Sequence, residues 1–306
     1  AGYASGGSKL SGRAVCRSAN DGGGQARRSD SLRQDVIIGK IKSYTLDFEI
    51  EFSDRAEGKA LRKGVLMDEQ KMLKLQTWVK EAKHIVFFGG AGVSTESGIP
   101  DFRGEDGLYR QHYAYPPETI ISHSFYLHHP DIFFDFYRHR MLYPNAKPNI
   151  VHMKLAQWEK EGRLLAVVTQ NIDGLHQMAG SRNVYELHGS VHRNTCQRCG
   201  ARYTLEEMLT LGDVPVCPKC GGRVKPDVVL YEEGLDPLTV SGALDAIRRA
   251  DLLIVAGTSL TVYPAAGFLN EYPGNRLVLI NKTETPRDDI ADLALHEKLG
   301  DVFARL

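Results

Sequence analysis

Four of the five cysteines fall in two Cys-x-x-Cys pairs, "CQRCG" with Cys196 and Cys199 and "CPKCG" with Cys217 and Cys220, separated by seventeen residues. Two such knuckles can deliver four thiolates to one tetrahedral zinc, and the glycine after each pair lets the chain turn back on itself. Two disulfides or two redox pairs are the alternative. With all four positions filled by sulfur, a zinc here has no open site for water or substrate, so its expected role is structural. A second stretch, "FFGGAGVSTESGIPDFRG" (87–104), sets five glycines after an apolar run. Gly90 and Gly92, with Ala91 between them, are expected to let the backbone approach a pyrophosphate whose charge the following amides cradle.

This stretch does not continue as a dehydrogenase would. Gly98, Pro100 and Gly104 interrupt any long helix, and no acid closes a following strand about twenty residues on. Hydride transfer is therefore disfavoured. Asp101, Phe102 and Arg103 are expected instead on a mobile loop around the nicotinamide end of a dinucleotide.

These groups need a scaffold, and the pattern supplies one. Runs at 84–90, 164–171, 183–189, 252–259 and 276–281 are short, apolar and rich in β-branched residues, as strands buried on both faces are. Helical stretches at 148–162 and 237–250 separate them, and Met72, Leu75, Val79 and Ala82 share one face of an earlier helix that Asp68 can cap. The expected fold is α/β, a doubly wound parallel, Rossmann-like sheet built from residues 67–100, 148–190 and 225–306. A helical insert at 101–147 and a zinc module at 191–224 interrupt it. All five runs end in polar residues, where open α/β sheets bind ligands.

The chain of 306 residues carries 38 Lys plus Arg against 38 Asp plus Glu, so no overall field recruits nucleic acid or membrane. No apolar run reaches the roughly 20 residues that a bilayer requires, and the first thirty lack the order of a signal peptide. A cytoplasmic protein is expected. Residues 1–66 open Gly/Ser/Arg-rich, then alternate at 45–52, with twelve Lys/Arg against eight Asp/Glu. They read as a disordered basic tail, or as an extension ahead of a true start at Met67.

"GAGVSTESGIPDFRG", "TQNIDGLHQMAG", "ELHG", the paired Cys-x-x-Cys, "GTSLTVYPAA" and the closing "DVF" resemble, in this order, the motifs of bacterial-type sirtuins, NAD-dependent protein-lysine deacylases. The resemblance spans about residues 67–306. It implies an enzyme that cleaves nicotinamide from NAD and passes a lysine's acyl group to ADP-ribose, leaving free lysine and an O-acyl-ADP-ribose. By the same resemblance His188 is the general base, acting with Asn171 and Asp173. Gln170, Asn171, Ile172 and Asp173 hold the ribose and nicotinamide amide, while Gly257, Thr258, Ser259 and Asn281 take the adenosine half and Val302 the adenine edge. An imidazole suits the base role because it titrates near working pH.

The segment 227–233 resembles the strand along which sirtuins pair an acyl-lysine peptide, which assigns Val229, Leu230 and Tyr231 to substrate binding. Tyr137 and Arg140, spaced to share a helical face, resemble the pair with which some sirtuins take succinyl- or malonyl-lysine. Thr95, beside the cofactor, stands where those enzymes carry a smaller Ala. Deacetylation is the expected main activity, with acidic-acyl removal, mono-ADP-ribosyl transfer and an NAD-sensing scaffold as alternatives. The expected cofactors are NAD and zinc, and the partners are acyl-lysine proteins rather than nucleic acid or membrane.

Overall fold

The computed structural model describes residues 56–102, 104, 107 and 113–306, with side chains from 69 onward, so the alternating run 45–52 and Arg103 lie outside the described residues. The chain divides into Ala1–Lys59 and Ala60–Leu306, and both sheets belong to the second unit. Six strands form one parallel sheet in the order β3-β2-β1-β7-β8-β9. They are β1 Ile85–Gly89, β2 Leu164–Thr169, β3 Val184–Glu186, β7 Leu252–Ala256, β8 Leu277–Ile280 and β9 Leu293–Leu295. β4 Gly189–Cys196, β5 Arg202–Tyr203 and β6 Val224–Val228 make a second, antiparallel sheet in the order β5-β4-β6. The five expected strands of the large sheet are all present. β9, Leu293–Leu295, lies outside the five expected runs.

Alternation along β1 explains the layering. Ile85 and Phe87 face one side and Val86 and Phe88 the other, as a pleated strand requires. The first side packs under α1 (Ala56–Glu81), α5 (Ile150–Lys160) and α9 (Leu299–Ala304) through Met72, Leu75, Val79, Leu155, Trp158 and Phe303. The second side packs under α8 (Pro237–Arg249) and the turn Ala265–Glu271 through Ala243, Ile247, Phe268 and Leu269. The apolar stripe read from α1 is therefore the buried one. The cap expected at Asp68 is not formed, since the helix starts twelve residues earlier at Ala56 and Asp68 falls in its interior.

Both inserts share a third apolar cluster. Short helices α2 (Pro117–Ile120), α3 (His123–His128) and α4 (Pro130–Phe136) bring Ile120, Phe125, Phe133 and Phe134 against Val191, Val224, Met208 of α7 (Leu205–Leu209), and Cys196 and Cys217. The remaining helix, α6 (Leu175–Ala179), follows β2. Among the described residues no helix is long and apolar enough to cross a membrane.

The strand order reverses between β1 and β7, which opens the ligand crevice at their carboxyl ends. There Gly92 N–H donates to the Gly257 carbonyl at 2.8 Å. Gly257 has φ of +60°, and a Cβ on it would stand 2.5 Å from Val93 N and 2.7 Å from the Gly92 carbonyl carbon. Gly257→Ala is predicted to destabilise the chain by at least the roughly 1–3 kcal/mol that a left-handed non-glycine residue costs. Thermal unfolding of the variant checks this, and an unchanged midpoint would refute it.

Candidate active site

Turns after β1, β2, β3 and β7 converge in one hydrogen-bonded cluster. After β1 the chain makes two 3₁₀ turns, Ala91–Val93 and Thr95–Ser97, with Ser94 between them at φ −99° and ψ 0°. That sparsely populated region of backbone space is one active-site residues often occupy. Ser94 is buried, and its Oγ donates to Asp173 Oδ2 at 2.6 Å while accepting from Asn171 Nδ2 at 3.1 Å. Asp173 Oδ1 accepts the N–H of Leu175 at 2.9 Å, so each carboxylate oxygen has a donor. With its Nδ2 committed to Ser94, Asn171 keeps its side-chain carbonyl as an acceptor.

Gln170 ties the strand ends together. Its N–H donates to the Gly89 carbonyl at 2.9 Å, its Nε2 donates to Thr258 Oγ1 at 3.0 Å, and its carbonyl lies 2.9 Å from His188 Nδ1. A carbonyl can only accept, so Nδ1 carries the proton and Nε2 is left with the free lone pair. His188 is the second of the two residues between β3 and β4, where the chain leaves the large sheet for the small one, and its own carbonyl accepts from Val229 N–H at 2.9 Å. Burial pushes the His188 imidazole below its ordinary value, and the bond to Gln170 only partly offsets this.

Other assigned residues are placed differently. Gly90 and Gly92 do not make room for phosphate alone: a Cβ on either would strike Thr258 or Gly257 within 2.9 Å, so their first task is to seat this turn against the β7 turn. Thr95 is exposed, its hydroxyl bonded back to the Gly92 carbonyl. Asp101 closes its own turn on Gly104 N–H, and Phe102 and Ile172 pack on the third cluster. Ser259 bonds Thr261, and Asn281 bonds Thr283, each within its own turn. Val302 has its side chain wholly buried in the first core beside Phe303, which leaves its main chain as what it can offer an adenine edge.

Neither substrate feature has the form expected. At Val229, Leu230 and Tyr231 the N–H groups are spent on His188, the Glu233 carboxylate and Ile121, and the Leu230 and Tyr231 carbonyls on Glu233 and His123 N–H. Little main chain remains there for an added strand. Tyr137 and Arg140 do not share a face, because Tyr137–Met141 is a π-helical turn, whose i→i+5 bonding takes in an extra residue. Tyr137 is wholly buried against Phe133 and Phe134 with its hydroxyl unpartnered, whereas Arg140 is exposed over the Tyr113 ring at 5.7 Å. Ser94 and Thr169, whose Oγ1 accepts Asn171 N–H, were missed. A lone hydroxyl carries no spacing signal.

Sulfur atoms of Cys196, Cys199, Cys217 and Cys220 all lie within 4.8 Å of one another. Cys196 and Cys220 sulfurs are 3.5 Å apart and those of Cys199 and Cys217 are 3.7 Å apart. These are not disulfides; they fit the edges of about 3.8 Å of a tetrahedron with Zn–S bonds of about 2.3 Å. Tyr203 hydroxyl, 3.0 Å from Cys217 Sγ, pulls that thiol down to about 6, toward the thiolate that a metal binds.

Residues 90–264 match the model of the Sir2 family. The chain belongs to that family. It is 55% identical over 236 residues to an NAD-dependent protein deacetylase of Clostridium acetobutylicum, covering 76% of this chain and 96% of that one. With the corresponding Clostridium perfringens protein it shares 54% over 241 residues, covering 78% and 99%. Among solved structures, a Sir2 complex with a p53 peptide and NAD+ aligns with TM-score 0.69 and 39% identity over 76% of this chain and 96% of that one. A Sir2 structure bound to acetylated peptide aligns with TM-score 0.68 and 38% identity over the same shares.

For this Sir2-family chain the four sulfurs predict one zinc per chain with no part in the reaction. Because Cys196 and Cys217 belong to the third core, chelation or Cys217→Ser should unfold the small sheet and abolish activity with it. Metal analysis and thermal unfolding test this. Full activity in metal-free protein would contradict it.

Proposed function

We propose that the chain is an NAD-dependent protein-lysine deacetylase, with the Ser94–Asn171–Asp173 cluster and His188 as its chemical centre. The observation that carries this reading is the His188 tautomer: Nδ1–H is fixed on the Gln170 main-chain carbonyl, which leaves Nε2 of a half-buried ring able to take a proton. The Sir2 relatives named as deacetylases and the neighbours bound to NAD+ and acetylated peptide support it. When bound, NAD supplies a cleavable bond to nicotinamide and the ribose carbon that accepts the acyl oxygen.

The chain's own groups then divide the work. Asn171 offers its side-chain carbonyl to an N–H of the carboxamide. Asp173, held by Ser94 and Leu175 N–H, fixes the turn that presents Asn171. His188 Nε2 accepts the proton of a ribose hydroxyl, and Phe102, seated on the small domain, is the aromatic available to exclude water. Gly257, Thr258, Ser259 and Asn281 line the side assigned to adenosine. The peptide would lie along 229–233, using the groups that the segment's internal bonds leave over. Four thiols in a metal cluster suit the reducing cytoplasm.

Acetyl-lysine is the proposed substrate. The phenol of Tyr137 is wholly buried and Arg140 points outward, so no ready pair awaits a second carboxylate. Mass spectrometry of matched acetyl- and succinyl-lysine peptides with NAD should show acetyl loss with O-acetyl-ADP-ribose and nicotinamide released. Faster loss of succinyl would overturn the acyl assignment, and NAD binding without loss of either group would overturn the activity.

His188 should behave as a base whose neutral form persists into acid. Its folded value is lowered by burial, and protonation disables it only as pH falls through that value. The acid limb of kcat/KM should therefore lie below the ordinary histidine value of about 6.5. His188→Ala should keep NAD affinity and lose roughly 10²–10⁴-fold in turnover. A pH–rate profile with its limb above that value, or undiminished turnover in the variant, would refute the role.

A further inference from the structure

We propose that Asn149, at the start of α5 and outside every group assigned to the reaction, positions Ser94 and through it the nicotinamide pocket, a claim that rests on the deacetylase reading above. Its side chain makes four contacts of two kinds. Oδ1 accepts Val151 N–H at 3.0 Å, which caps α5, and lies 3.0 Å from His152 Nδ1. Nδ2 reaches across to the turn after β1, donating to the Val93 carbonyl at 2.8 Å and to Ser97 Oγ at 3.0 Å. The amide orientation follows from chemistry, since Val151 N–H can only donate and the Val93 carbonyl can only accept.

The Val93 carbonyl belongs to the peptide plane that carries Ser94 N–H. That N–H donates to the Ala91 carbonyl at 3.0 Å, so Asn149 and Ala91 hold the two sides of one plane. Rotation of that plane sets φ of Ser94, which stands at −99°, and so sets the direction of its Oγ. Ser94 Oγ in turn holds Asp173 at 2.6 Å and Asn171 at 3.1 Å. A continuous chain of bonds thus runs from α5 to the acceptor offered to the carboxamide.

Asn149 is itself anchored from below. His152 is wholly buried, with Nδ1 also 3.3 Å from Asn149 N, and its ring lies 4.7 Å from that of His176. Val93, Val151 and Leu155 pack in the first core around this corner. The frame beneath Asn149 is close-packed, and the turn above it, two short 3₁₀ turns closed by their own main-chain bonds, is tied to that frame by Asn149 Nδ2.

The cap and the reach can be separated experimentally. Asn149→Asp and Asn149→Ser both keep a side-chain oxygen for capping, and both lose the Nδ2 donor; Asp also sets an acceptor against the Val93 carbonyl. Each variant should melt near the unaltered chain and keep the peptide KM within about twofold. Calorimetry should show NAD binding at least about fivefold weaker, and kcat/KM for NAD should fall roughly tenfold to a hundredfold, the scale of an ångström-level misplacement. Unchanged NAD affinity in either variant would overturn the inference. So would a fall in melting temperature with equal rises in both KM values, which marks Asn149 as a helix cap only. NAD affinity reads this inference and deacetylation by the unaltered chain reads the proposed function, so the two fail separately.

Discussion

The site rests on one backbone approach, Gly92 against Gly257, where the ends of β1 and β7 meet without a Cβ on either side. Strands in a parallel sheet stand about 4.8 Å apart, and side chains at their ends would hold the following turns apart. Removing those side chains lets the turn after β1 fold over the crevice rather than away from it. Ser94 then faces the turn after β2, where Asn171 and Asp173 lie. Gln170 crosses the same gap with its Nε2 on Thr258, so three strand ends are fixed by one residue's donors and acceptor.

The second dependence is on the junction between sheets. His188 belongs to neither sheet, yet both fix it: its ring through Gln170 after β2, its carbonyl through Val229 after β6. The paired residues Gly189 and Val228 begin the small sheet immediately beyond, and the four cysteines close its far end at Cys196, in the β4–β5 turn at Cys199 and in the β5–β6 connection at Cys217 and Cys220. A metal with no open coordination position can thereby matter to a base that it never touches. Without it the small sheet loses the pins at its end, and the Val229 bond loses its frame.

Patterns that repeat were legible in the residues; single contacts were not. β1, β2, β7 and β8 announced themselves because burial on both faces demands runs of β-branched and aromatic side chains, and the cysteine spacing stated its own geometry. His188 was legible as a polar residue at a strand end followed by glycine. The Asp68 cap failed because a capping residue type is only permissive, and the helix continued through it from Ala56. Tyr137 and Arg140 failed for a related reason: i,i+3 spacing implies one face only if the turn is α-helical, and here it is π. Ser94, Thr169 and Asn149 each act through single side-chain contacts, which no periodicity announces.

These placements divide the polar groups of the site by what they can still do. Asp173 has a donor on each oxygen, and Gln170 spends its Nε2 on Thr258 and its main-chain carbonyl on His188, so both brace the strand ends. His176 and His152, buried and pushed down to about 3 and about 4 by desolvation, are neutral near pH 7 and carry no proton traffic. Cysteine sulfurs are occupied with one another or with a metal. What stays uncommitted among these described groups is the side-chain carbonyls of Asn171 and Gln170, both acceptors, and His188 Nε2, a lone pair on a ring whose other nitrogen is locked. An array of carbonyl acceptors and one imidazole lone pair is suited to holding an amide and removing a hydroxyl proton. It is poorly suited to general acid catalysis of the departing group, so departure must be driven by how the pocket holds the carboxamide. That is why the rigidity of the Val93–Ser94 plane matters more to this chemistry than any further titrating residue.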